Sequence, residues 1–191
     1  MKRFLLPLII IVVVIGFVWY SFFRPETGAG SSSKNILPTA TDPSVATSTP
    51  IYTLDSATAK TYIDSIYHFS FRYPGDFKAS PITAEGVTTI LVQDSKAAAG
   101  FQIDITPMDE DIQTLTVERI KQDLPGIYME SPQDVVLGAS GKGVAFFGDD
   151  PAFGGKSREV WFVYKKTLYQ IRTYVRYDSL LKAVLGTWEF K

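Results

Sequence analysis

His68 is the only imidazole in this 191-residue chain, and cysteine is absent. Zinc centres are built chiefly on Cys and His, and without cysteine or a further histidine zinc chemistry is not expected. A Ser-His-Asp triad would have to use His68, and no nucleophile sits in a motif that would bring a hydroxyl to it. The acidic runs Asp109-Glu110-Asp111 and Asp149-Asp150 could offer oxygen ligands to calcium, but they lack the alternating acidic spacing and the glycine of a dedicated loop. They read as solvated loops. Gly138, Gly141 and Gly143 surround Lys142 without the spacing of a phosphate-binding loop, so turn glycines are expected. One catalytic alternative remains: Asp149 and Asp150 with Glu159 as paired carboxylates of an envelope-polymer hydrolase. That chemistry needs two carboxyl groups about 5 to 9.5 Å apart across a cleft. No catalytic residue, cofactor or metal ligand is assigned otherwise.

Charge points instead to recognition. Residues 104–150 hold ten acidic and three basic side chains, whereas residues 151–191 hold eight basic and three acidic. Tyrosines 164, 169, 174 and 177 are interleaved with Lys165, Lys166, Arg172 and Arg176 in the basic part. A net charge of −1 argues against nucleic acid as the partner. A protein or a cell-envelope polymer is expected, contacted through Lys165, Lys166, Arg172, Tyr174 and Arg176.

The elements that must hold these residues begin outside the folded domain. Residues 4–23 form an uncharged apolar run directly after Lys2 and Arg3. About 20 helical residues at ~1.5 Å each span a hydrocarbon core of ~30 Å, so the run is long enough to cross a bilayer. Trp19, Tyr20, Phe22 and Phe23 stand where a signal-peptidase site would be, and an uncleaved signal anchor over residues 1–24 is expected. Lys2, Arg3 and the amino terminus outweigh Arg24, which puts the N-terminus in the cytoplasm and the remainder outside. Residues 25–51, rich in Ser, Thr and Pro, cannot bury enough apolar surface to offset backbone entropy and are expected to be a disordered tether.

Residues 52–191 have the length of one domain. Tyr67, Phe69, Phe71 and Tyr73 alternate with His68, Ser70 and Arg72 before Pro74-Gly75-Asp76, which is a strand with one buried face and a turn. Residues 87–92, 101–106, 133–139 and 143–147 carry strand patterns. A hairpin is expected over 158–175, with Lys165-Lys166 as the turn, Phe162 opposite Tyr169, Val160 opposite Ile171 and Glu159 opposite Arg172. Thr116 is placed to cap a helix carrying Val117, Ile120 and Leu124, and Asp178 to cap one carrying Leu180, Leu181, Val184 and Leu185. Thr187-Trp188-Glu189-Phe190 follows as a terminal strand. The predicted core holds Phe69, Phe71, Tyr73, Val160, Phe162, Ile171, Leu181 and Trp188. Strands in hairpin order with few helices indicate an α+β domain around a mainly antiparallel sheet.

Two segments resemble PsbP-like domains. Residues 67–77, Tyr-His-Phe-Ser-Phe-Arg-Tyr-Pro-Gly-Asp-Phe, are similar to that family's opening aromatic strand and Tyr-Pro turn, and residues 181–190 to its closing helix and final Thr-Trp-x-Phe strand. The resemblance covers about residues 60 to 191. It implies an α/β/α sandwich around an antiparallel sheet, and an accessory, non-catalytic role. Plant members are lumenal subunits of photosystem II that help retain calcium and chloride, and many bacterial members are exported or membrane-anchored. The anchor and Ser/Thr linker depart from the plant type, and no plant functional residue matches a position here. The expectation is therefore a membrane-anchored, extracytoplasmic binding or assembly module.

Overall fold

The computed structural model describes residues 54–96 and 100–191. The expected signal anchor and the Ser/Thr/Pro-rich linker lie outside them, and among the described residues no helix is long and apolar enough to cross a membrane. Ten strands and two α-helices are present among these residues: β1 (Lys60–Asp64), β2 (Phe69–Tyr73), β3 (Phe77–Ala84), β4 (Val87–Asp94), β5 (Gly100–Pro107), α1 (Val117–Asp123), β6 (Glu130–Leu137), β7 (Gly141–Asp150), β8 (Gly155–Tyr164), β9 (Thr167–Tyr174), α2 (Asp178–Gly186) and β10 (Glu189–Phe190). Strands β3-β4-β5-β9-β8-β7-β6 make a seven-stranded sheet, and β1-β2-β10 a three-stranded one. Every pairing is antiparallel.

Period-2 alternation explains why the large sheet has two different faces. One face sends Phe101, Ile103 and Ile105 of β5, Ile171 and Tyr169 of β9, and Val160 and Phe162 of β8 into a core shared with Phe69 and Phe71 of β2 and Leu180, Leu181, Val184 and Leu185 of α2. All eight predicted core residues are buried there. Trp188, just before β10, is the centre of an aromatic stack, with ring centroids 4.6 Å from Phe69 and 5.3 Å from Phe71 and a perpendicular contact to Phe162 at 5.4 Å. The α+β class holds. The layer over this face differs from the expected helices of an α/β/α sandwich, because the small sheet shares it with α2.

Local differences have identifiable causes. The aromatic strand starts at Phe69 rather than Tyr67: the Asp64 carboxylate accepts from the amides of Ile66 and Tyr67 at 2.9 and 2.8 Å, and His68 is exposed at φ +55° in the resulting turn. Two strands lacked a readable signal. β1 is five residues of mixed polarity, and β3 contains Pro81, which is tolerated because β3 is an edge. Thr116 does cap α1, accepting from the Arg119 amide. Asp178 does not cap α2; it is the helix's first residue, and its carboxylate binds Arg158 at 2.9 Å and Lys182 at 2.8 Å. Gly138, at φ +53°, closes the β6–β7 turn where a Cβ would collide with the Trp188 carbonyl oxygen, so this turn and the C-terminal strand require glycine there.

Candidate functional site

The β8–β9 hairpin carries four of the five residues expected to meet a partner, and Arg176 lies just beyond it. Its register matches the expectation, with Phe162 opposite Tyr169, Val160 opposite Ile171 and Glu159 opposite Arg172. Tyr174 lies eight positions after Lys166, roughly 25 Å along a strand at ~3.3 Å per residue. Lys165 and Lys166 therefore sit at one end of the hairpin and Tyr174 and Arg176 at the other, with Arg172 between them. They do not form one surface.

At the first end, Lys165 and Lys166 are the two residues of a tight turn, at φ +45° and +58°. Two-residue hairpin loops of this kind favour Asn-Gly because both positions are left-handed. Lysine in that region gives up roughly 1 kcal/mol per residue relative to an unstrained backbone. Both side chains are exposed, and neither forms an ion pair with another described residue. Beside them lies a groove of about 460 Å³ whose lining includes Tyr164, Asp111 and Gln113. The Met108 amide donates to the Lys166 carbonyl at 2.8 Å, which ties the start of the acidic loop to the turn. Tyr164 is held by stacking on Phe190, with centroids 3.8 Å apart and planes tilted by 20°. The Lys165 Nζ lies 5.1 Å from the Tyr164 ring.

Arg172 contradicts its assignment as a partner contact. It is 6 % exposed and lies on the face of the large sheet opposite the aromatic core. Its Nη1 is 3.6 Å from Asp104 and 4.0 Å from Asp150, and its Nε is 3.7 Å from Glu159. These are Coulombic separations, longer than hydrogen bonds. The carboxylates take their hydrogen bonds elsewhere. Asp104 accepts from Gln102 at 2.8 and 2.9 Å and from Thr89 at 2.7 Å; Glu159 accepts from Ser157 at 3.0 Å and the Trp161 indole at 2.8 Å. Strand alternation is the reason they meet: Gln102 and Asp104 on β5, Arg172 on β9 and Glu159 on β8 share one face of adjacent strands. At the far end of the hairpin, Tyr174 is half-buried against Phe153 and Arg176 lies over its ring at 4.5 Å.

Burial pushes both the Asp104 and Glu159 carboxyls upward, with Arg172 opposing and Asp150 adding to the rise. An acid that titrates higher when folded contributes stability that is full below its unfolded pKa, near 4, and is lost as pH rises through the folded value. Asp104→Asn is therefore expected to flatten the decline in stability above about pH 4, as read from denaturation midpoints across the acid-to-neutral range. A slope identical to that of the wild type would refute the assignment of this titration to Asp104.

The remaining candidates separate. Of the carboxylate trio, Asp150 and Glu159 face Arg172, while Asp149 is exposed; Asp150 also accepts from the Ala152 amide at the start of the 3-10 turn Pro151–Phe153. In the 109–111 run, Glu110 binds Arg119 at 2.8 Å. Among the described residues, no group of three or more His, Cys, Asp or Glu side chains is arranged to hold a metal ion. The groove beside the lysine turn escaped sequence reading because its two walls, residues 111–113 and 163–166, are some 50 positions apart.

No family model matches the chain, and no curated protein does. The chain is similar to the solution structure of cyanobacterial PsbP (CyanoP) from Synechocystis sp. PCC 6803, with a TM-score of 0.47 and 12% sequence identity, over 72% of this chain and 95% of that one.

Proposed function

We propose that this protein is a membrane-anchored, extracytoplasmic, PsbP-like module that binds or assembles with a partner and carries out no chemistry itself. The apolar run over residues 4–23 supports the anchor, and the aromatic-strand and closing-helix motifs support the PsbP-like reading. The lysine turn carries the binding proposal. Two ammonium groups are held in a strained turn at the edge of a groove, with no ion pair to another described residue. Such strain persists where surrounding structure over-determines it, and it accumulates at contact sites. The partner that fits is anionic: an acidic protein surface or an acidic envelope polymer, with Lys165 and Lys166 supplying charge and the Tyr164 ring an amphipathic platform. Arg172, Tyr174 and Arg176 are outside this contact.

The test is a crosslinking pull-down from the native membrane with the full anchored chain and with a Lys165→Glu, Lys166→Glu variant. Recovery should fall with the variant and with rising salt, since exposed charges are screened beyond about 10 Å at 0.1 M. Equal recovery from both proteins at low and high salt would remove the lysine turn from the interface.

A further inference from the structure

We infer that the groove between residues 111–113 and the lysine turn is a subsite for a unit of a carboxylate-bearing polysaccharide. The inference rests on the proposed role of that turn and names the anionic partner it takes. The groove, about 460 Å³, is of the size that encloses a small ligand. Its two walls carry opposite charges that do not neutralise each other. Asp111 lines one and Lys165 and Lys166 the other, and none of the three forms an ion pair with a described residue. The acidic wall is held in place: the Met108 amide donates to the Lys166 carbonyl, Glu110 binds Arg119 at 2.8 Å, and the Gln113 side-chain amide donates to Asp111 at 2.8 Å. Glu110 thus has its own cation, and Asp111 is the carboxylate that lines the groove without one. Half-buried Ile112 and buried Val163 add apolar lining, and the Tyr164 ring is fixed by its stack on Phe190.

This combination selects the ligand. It needs an anionic group for the ammonium side, hydrogen-bond donors for the Asp111 side, and an apolar face for Ile112, Val163 and the Tyr164 ring. A sugar ring bearing a carboxylate has all three. Its carboxylate accepts charge-assisted hydrogen bonds from the lysines, its hydroxyls donate to Asp111, and its C–H face covers the apolar lining. An acidic protein surface fits less well. It would set carboxylates against Asp111 and the exposed Asp109, a like-charge contact that costs affinity, and a specific protein interface covers ~800 Å² per partner rather than one narrow groove.

The test titrates the full-length chain in detergent, at low salt, with sodium polygalacturonate, sodium polyglutamate and neutral dextran, followed by calorimetry. Polygalacturonate should bind several-fold more tightly than polyglutamate, and dextran should not bind measurably. Asp111→Ala gives the decisive sign. It should weaken polygalacturonate by about tenfold, the size of one hydrogen bond to a charged group, while polyglutamate binds as before or more tightly because a repelling carboxylate is gone. A site that reads charge alone would bind both polymers more tightly after this change. That result, equal wild-type affinities for the two polyanions, or polygalacturonate binding indifferent to Lys165→Glu, Lys166→Glu would each overturn the inference. The two readings fail separately. A membrane pull-down that depends on the lysines, with polygalacturonate bound no better than polyglutamate, removes this subsite and leaves the proposed function standing. A pull-down indifferent to the lysines, with polygalacturonate binding that needs them, leaves the subsite and removes the lysine turn from the partner interface.

Discussion

Replacing Trp188 with alanine is expected to destabilise the domain by about 3–5 kcal/mol, the range for truncating a buried Phe or Trp. The indole is 2% exposed and bridges the two sheets. It lies parallel to Phe69 and Phe71 on one side and edge-on to Phe162 and Tyr169 on the other, so its loss opens a cavity that no single neighbour can fill. Its Nε1 is buried without a hydrogen-bond partner among the described residues. Trp188→Phe removes that unsatisfied donor while keeping an aromatic ring in the stack, and its cost should be well below that of alanine. Thermal or denaturant unfolding followed by near-ultraviolet circular dichroism measures both. Similar losses for the two variants would mean that the packing read from the stack is wrong.

Arg172→Ala is expected to cost a comparable amount, about 3–5 kcal/mol, because it leaves Asp104 and Glu159 buried without their cation. The sign of its pH dependence is distinctive. Arg172 is the main influence holding those two carboxyls down, so its removal raises their folded pKa values further. The variant should be closest to wild type at acid pH, where both groups are protonated in either protein, and should fall further behind as pH rises above the ordinary carboxyl range. Partner recovery per folded molecule should be unchanged. If instead the variant were as stable as wild type at neutral pH and lost its partner, Arg172 would belong to the contact surface after all.

These two residues show how far a sequence carries. Alternation in the terminal segment puts Trp188 on the apolar side, and a large aromatic on that side of a strand has few places to go but the core. Glu159 opposite Arg172 was also legible, because a two-residue turn at Lys165-Lys166 sets the register of everything behind it. Arg172 departs from the expected partner contact, being buried, for a related reason. Alternation says which residues share a face, but not whether that face meets water. Asp104 and Gln102 come from β5, some 70 positions upstream, and only the β5–β9 pairing brings them beside Arg172.

By itself the sequence determined the faces of the strands with clear alternation, the hairpin register, the α1 cap, the aromatic core and the absence of thiols. All of these depend on residue type and on spacings of a few positions, where backbone geometry leaves little choice. The tertiary structure alone decided which apolar faces meet, that the small sheet shares a layer with α2, that Arg172 is enclosed by carboxylates, and that the lysine turn borders a groove. Each of these depends on long-range pairings, whose loop-closure cost is nearly the same for many alternatives and which are selected only when whole faces find complementary partners.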